Sequence, residues 1–321
     1  MWKKFYQNIA NNDYILQKQK EDRQLMNSDK QSYIYAGLAV FFWSTVPTAF
    51  KISLGELGIL PTLTIASITS AITLFAIILA QGKISRLKFS GRKELFNSAL
   101  LGLINPAIYY MILLKAYTLL PGQVAQPLNM IWPIILVFLS VPLLGQKIER
   151  KSFLALFISF AGVYIIASQG QLFQKGNTNL TGVLLASGSS VFWALYFILN
   201  VRDKRDEAVK LFLNFIFGSV YLIVLMAITG QWKENISFNG LAGSVYIGVF
   251  EMGITFFFWL KALQLATTTD KVSNLVYLAP FLSLIFLHFI IHEPVFWTTP
   301  AGLVFIIAGI FIQTAKTKKA V

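Results

Sequence analysis

Apolar residues in this chain come in long unbroken runs rather than in alternating or single-faced stripes. The runs predict ten helices near 33–51, 59–80, 96–117, 124–144, 152–169, 180–200, 209–230, 241–263, 272–290 and 296–314. Each is long enough, at about 17–25 residues, to cross roughly 30 Å of hydrocarbon. Lipid offers no partner for a free backbone N–H or C=O, so only helices or closed barrels span it. Barrel strands would alternate polar and apolar over about 10 residues, and the runs do not alternate. The predicted fold class is therefore all-α integral membrane, with about ten transmembrane helices.

Five spans precede the Gln169–Asn179 connection and five follow it. An odd number per half makes the second half enter the membrane with opposite orientation, giving two inverted five-helix repeats. The chain itself carries the echo. Leu103-Ile104-Asn105-Pro106 through Lys115-Ala116-Tyr117 returns as Val249-Phe250-Glu251-Met252 through Lys261-Ala262-Leu263. That offset of 146 pairs Gly102 with Gly248, Asn105 with Glu251 and Lys115 with Lys261. One residue further, Pro133 pairs with Pro280 and Gly162 with Gly309, and Phe42-Trp43-Ser44 matches Phe192-Trp193-Ala194 more faintly. The expected organisation is a basic tail over 1–32, a first repeat over 33–169, a second over 180–315 and a short tail over 316–321. Two such halves around a central site are the build of many secondary transporters.

Composition changes this picture little. Hydrophobic residues make up 56% of the chain and charged ones 13%, against about one-quarter charged in soluble domains. The net charge of +13 could suggest nucleic acid, but its distribution reports topology. With the N-terminus inside, 22 positive side chains fall in cytoplasmic loops and tails and three (Lys51, Lys175, Lys233) outside. The positive-inside rule then puts both termini in the cytoplasm of a cell whose inner (plasma) membrane holds the protein. No nucleic-acid partner is expected, because the charge is spread over many segments. The first 30 residues lack a secretory signal and read as a loosely ordered basic tail, with a short amphipathic helix carrying Trp2, Phe5, Tyr6 and Ile9 in the inner interface as the alternative.

Chemistry-bearing motifs are few. Cysteine is absent, and the phosphate-loop, nucleophile-elbow and Cys/His-cluster signatures of enzymes are missing. No enzyme activity, cofactor or metal is expected. His288 and His292 lie one turn apart beside Glu293, but at a span end where polar groups reach water easily.

The intramembrane polar groups carry the functional expectation. Glu251 falls mid-span, where an ionised carboxylate costs roughly 2.5–3.5 kcal/mol and normally faces a cavity or partner. It reads as a proton-binding or substrate-amine-binding group, or as a neutral packing acid. Its mate Asn105 is expected to meet it at the bundle centre. Lys115 and Lys261 lie about 15 Å further along, ten residues at 1.5 Å each, and read as headgroup-snorkelling or gate-lining. Trp43 and Trp132 lie too deep for an interfacial belt. Asn129 shares a face with Trp132, and Pro133 breaks the helix behind them. Asn274, Tyr277 and Pro280 repeat that arrangement in the second half, and Tyr109, Trp193, Tyr196 and Trp259 are expected to add to the same wall. Gly182, Ala186, Ser190 and Ala194 form a small-residue stripe for close helix packing.

Taken together, the ten inverted spans, Lys-Ala-Tyr-Thr-Leu-Leu-Pro-Gly-Gln at 115–123, Ala279-Pro280-Phe281, His292-Glu293-Pro294, Gly302 and Gly309 resemble the EamA branch of the drug/metabolite transporter superfamily. The likeness covers about 33–315. The family usually has a glutamate after the fourth span, where this chain has Gln146, with Glu149 displaced. Asn129-Met130-Ile131-Trp132-Pro133 is similar to the Asn-x-x-Trp-Pro segment of bacterial aromatic amino-acid exporters of that superfamily. The resemblance implies a central cavity shared by both halves and export of amino acids or similar small amphiphiles. Its alternatives are a multidrug or organic-cation exporter of the same fold and a non-transporting membrane sensor or scaffold. Proton coupling, and whether the protein is a monomer or homodimer, stay open at this level.

Overall fold

A computed structural model describes residues 2–89, 91–145, 150–171, 179–232, 235–266 and 274–314, with side chains described for most of these from Ser28 onward. Helices dominate, and no strand occurs among the described residues. The first half comprises α1 (Trp2–Leu57), α2 (Ile59–Ala80), α3 (Arg92–Gly102), α4 (Tyr109–Leu119), α5 (Gly122–Asn129), α6 (Trp132–Leu144) and α7 (Arg150–Ala167). The second comprises α8 (Leu180–Arg202), α9 (Glu207–Thr229), α10 (Phe238–Tyr246), α11 (Thr255–Leu265), α12 (Ala279–Ile291) and α13 (Thr298–Thr314). Eight helical stretches among the described residues are long and apolar enough to span a membrane, and Leu275–Ile291 and Thr298–Ile312 are shorter apolar helices. These match the ten predicted spans.

The N-terminal segment corrects one expectation. It continues the first span as helix α1 instead of forming a loose tail. Between Trp2 and Tyr35 the chain holds neither glycine nor proline, so nothing interrupts a helix already anchored downstream. Where the helix reaches the bundle, Ser28 and Ser32 donate to the Leu265 and Ala262 carbonyls of α11, both at 2.7 Å.

Each half breaks its helices at matching places. Leu103–Ile108 and Ile247–Ile254 are π-helical segments, the first joining α3 to α4 and the second α10 to α11. Asn105 and Glu251 lie within them. Proline marks a second pair of breaks: α6 begins at Trp132-Pro133 and α12 at Ala279-Pro280, each after a short non-α stretch. Pro lacks an N–H and is tolerated where a helix starts.

The same symmetry governs close packing. A Cβ on Gly102 would strike the Asn214 carbonyl of α9, and one on Gly248 would strike the Ala66 carbonyl of α2. The repeat-mate glycines thus press matching segments onto α9 and α2. Gly162 of α7 and Gly302 of α13 meet backbone to backbone in the same way, a Cβ on either lying 2.6 Å from the other's carbonyl. Without a hydrophobic drive between helices in lipid, such backbone approach supplies the van der Waals contact. The stripe on α8 also packs: a Cβ on Gly182 would lie 2.7 Å from Leu120, and Ala186, Ser190 and Ala194 are fully buried.

Candidate functional site

Where the two halves meet, a cavity of about 110 Å³ opens between α1, α4, α5, α8 and α11. Three indoles wall it: Trp43 of α1, Trp132 at the start of α6 and Trp193 of α8. Phe256 ties them together, its ring centroid 6.1 Å from Trp43 and 5.7 Å from Trp193. Tyr109 stacks 5.1 Å from Trp193, and Trp132 meets Trp193 edge-on at 6.4 Å. Trp259 backs Trp43 at 5.4 Å. Aromatic rings in these tilted and edge-on poses attract through their quadrupoles and present faces to an occupant.

The polar lining is sparse and mostly committed. Tyr109 donates to Asn129 Oδ1 at 3.1 Å, and Asn129 Nδ2 donates to Ser189 at 2.8 Å. Gln126 reaches the Trp43 carbonyl at 3.5 Å and accepts from Ser283. Tyr110 donates to Glu251 Oε1 at 3.0 Å. No described residue donates to Glu251 Oε2, so the carboxylate keeps an acceptor for an occupant. Ser70 of α2 donates to the Met252 carbonyl at 2.8 Å, steadying the π-helical turn beside Glu251. π-Helical turns loosen the regular ladder and recur at functional positions.

Of the residues expected at the site, the structure brings together Trp43, Tyr109, Asn129, Trp132, Trp193 and Glu251. Three others stand apart. Asn105, 2% exposed, lies in its π-helical segment against α9 and does not border the cavity. Its backbone is extended (φ −145°, ψ 118°) beside Pro106. Tyr196 lies behind Trp193, where Asn214 donates to its hydroxyl at 3.2 Å. Tyr277 packs edge-on against Phe311 of α13 at 5.9 Å, and its neighbour Val276 takes the lining position. The side chain of Asn274 and residues Gln146 and Glu149 lie outside the described residues. Pro133 and Pro280 mark the helix starts, Lys115 is exposed, and Lys261 borders a different cavity.

The sequence reading missed Tyr110, Gln126 and Phe256, although signals existed. Tyr110 and Phe256 are repeat mates at the offset of 146, and Gln126 lies three residues before Asn129 on one helix face. It also missed what the resemblance motifs do. The Glu293 carboxylate caps the start of α5, accepting from the backbone N–H groups of Gly122 and Gln123 at 2.9 Å each. Gln123 returns the contact, donating to the Pro294 carbonyl and accepting from Phe296 N–H at 2.8 Å. Lys51 Nζ closes the preceding helix end by donating to the Tyr117 and Leu120 carbonyls at 3.0 and 3.1 Å. Leu120-Pro121-Gly122-Gln123 of one half and His292-Glu293-Pro294 of the other are therefore two sides of one joint. His288 contributes at its edge, Nδ1 lying 3.2 Å from the Glu293 carbonyl.

The profile of the EamA-like transporter family matches this chain twice, over residues 30–168 and 180–315. An uncharacterized transporter of Clostridium kluyveri is 25% identical over 91% of this chain and 95% of its own length. The uncharacterized transporter YvbV of Bacillus subtilis is 28% identical over 84% of this chain and 88% of its own. Protein PecM of Dickeya dadantii is 21% identical over 68% and 73%. A crystal structure with 19% identity superimposes with a TM-score of 0.61, covering 89% of this chain and 96% of the other, a likeness of fold.

Proposed function

This chain belongs to the EamA-like transporter family, and from that premise we propose that it is a secondary transporter of the inner membrane. Its cargo on this reading is amino acids, aromatic ones among them, or similar small organic metabolites, exported by alternating access. The observation that carries the reading is the single carboxylate of Glu251 in a cavity otherwise walled by Trp43, Trp132, Trp193 and Phe256. Aromatic faces attract both flat rings and ammonium groups. A carboxylate shielded from water attracts an ammonium far more strongly than an exposed one does.

One carboxylate cannot hold a proton and a substrate ammonium together. Competition between the two at Glu251 would exchange inward-moving protons for outward-moving substrate, and the membrane potential adds about 2.3 kcal/mol per charge per 100 mV. The cavity volume of about 110 Å³ lies well below the roughly 300–1,000 Å³ of drug-sized ligand sites. That favours a small amino-acid-like cargo over a multidrug substrate, and a ring-bearing cargo requires the aromatic wall to part. A counterflow screen of amino acids against bulky organic cations in proteoliposomes tests this. Saturable counterflow with amino acids supports the proposal, whereas counterflow confined to bulky cations selects the multidrug reading.

A further inference from the structure

A cavity of about 480 Å³ lies away from the transport site, between the end of α2, the start of α9 and the last turns of α11. α11 divides the two: Phe256 lines the central cavity, while Phe257 and, one turn on, Lys261 line this one. Its walls are apolar on one side, with Leu74, Leu211 and Phe257, and charged at the other end, with Lys83, Lys261 and the carboxylates of Asp206 and Glu207. α2 ends at Ala80 and α9 begins at Glu207, so the charged end sits where these helices leave the hydrocarbon. It is also the face that the positive-inside count assigns to the cytoplasm.

The lining alone sets two lysines against two carboxylates, but Arg86 and Lys210 from outside it also pair with those carboxylates. Lys83 and Arg86 share the one carboxylate of Asp206, at 2.8 and 3.0 Å. Lys210 occupies Glu207 at 2.8 Å. Lys261 makes no ion pair among the described residues, so the cavity keeps positive charge above an apolar wall. Its repeat mate Lys115 is exposed and borders neither cavity.

We propose that this cavity holds an anionic phospholipid of the adjoining leaflet. Its phosphate lies against Lys261 and Lys83, and its first acyl carbons run along Leu74, Leu211 and Phe257. Basic recesses between membrane helices recognise such headgroups by charge and by depth. A free phosphate would meet the same cations but leave the apolar wall uncovered.

Native mass spectrometry of the purified protein, offered phosphatidylglycerol, phosphatidylcholine or inorganic phosphate, tests the assignment. Retention of phosphatidylglycerol should exceed that of phosphatidylcholine by roughly tenfold, each basic contact contributing several-fold. Lys261→Gln and Lys83→Gln should each cut that preference several-fold, Lys261→Arg should keep it, and Lys93→Gln, an exposed charge elsewhere, should not change it. No preference in the wild type, an unchanged preference in both glutamine variants, or displacement of the lipid by inorganic phosphate would overturn the proposal. Size-exclusion profiles identify any variant that fails to fold, and the remaining variant then decides.

Discussion

Tyr110 and Glu251, 141 residues apart in the chain, meet through one hydrogen bond from the phenol to Oε1 at 3.0 Å. The bond joins the halves at the cavity wall and fixes which way the carboxylate points. Hydrogen bonds to charged groups contribute about 1.5–3 kcal/mol. Tyr110→Phe should therefore lower transport by about tenfold or more while the protein stays folded, measured as counterflow per reconstituted molecule. Unchanged flux would show that the orientation of Glu251 by Tyr110 is dispensable.

Trp132 stands at a helix start with its ring against Trp193 and Phe197. An aromatic pair contributes roughly 0.5–1.5 kcal/mol beyond burial. Trp132→Ala should weaken cargo binding up to about tenfold, read as a raised half-saturation concentration, with a smaller effect on yield. Equal loss of binding and of folded protein would make Trp132 a packing residue.

Glu293 satisfies two N–H groups at the start of α5 from across the repeat boundary. Each orphaned buried donor costs about 1–3 kcal/mol, and the carboxylate also complements the positive helix end. Glu293→Ala should lower the melting temperature in detergent clearly, and Glu293→Gln, which keeps one acceptor, should fall between it and the wild type. A melting curve unchanged in Glu293→Ala would remove the joint from the stability account.

Asp206 offers a pH test outside the membrane. Burial opposes its ionisation, but hydrogen bonding and charge from Lys83, with the Ala208 N–H and Arg86, hold its carboxyl below the usual range. A depressed folded value means the stabilisation is complete above the unfolded pKa, about 3.9. It is lost as pH falls through the folded one. Asp206→Asn should thus be less stable than the wild type near neutrality, with the gap closing on acidification below that value. A gap independent of pH would show that the charge of Asp206 does not carry the loss.

Much of the fold was legible because run length and proline position are local signals. The ten spans and the breaks at Pro133 and Pro280 needed nothing else. The repeat further linked Trp43 with Trp193, both of which line the cavity. Residue faces were less legible, because a π-helical turn inserts extra residues into the helical period. Beyond Ile247–Ile254 a simple 3.6-residue projection loses phase, which hid Phe256. Asn105 misled for a related reason: its sequence mate Glu251 lines the cavity, whereas Asn105 sits in extended backbone before Pro106 and does not. The helical N-terminal segment was obscured by its polarity, although its lack of glycine and proline was visible.

Proton-driven flux and counterflow of the same cargo, compared between wild type and Glu251→Gln in proteoliposomes, test the assignment of the transport site most directly. If Glu251 alternates between proton and substrate, the wild type should show cargo flux that depends on an imposed pH gradient. The folded glutamine variant should then lose that dependence together with at least about tenfold of its flux, the cost of one charged contact. A variant that keeps wild-type flux and pH dependence would contradict the assignment.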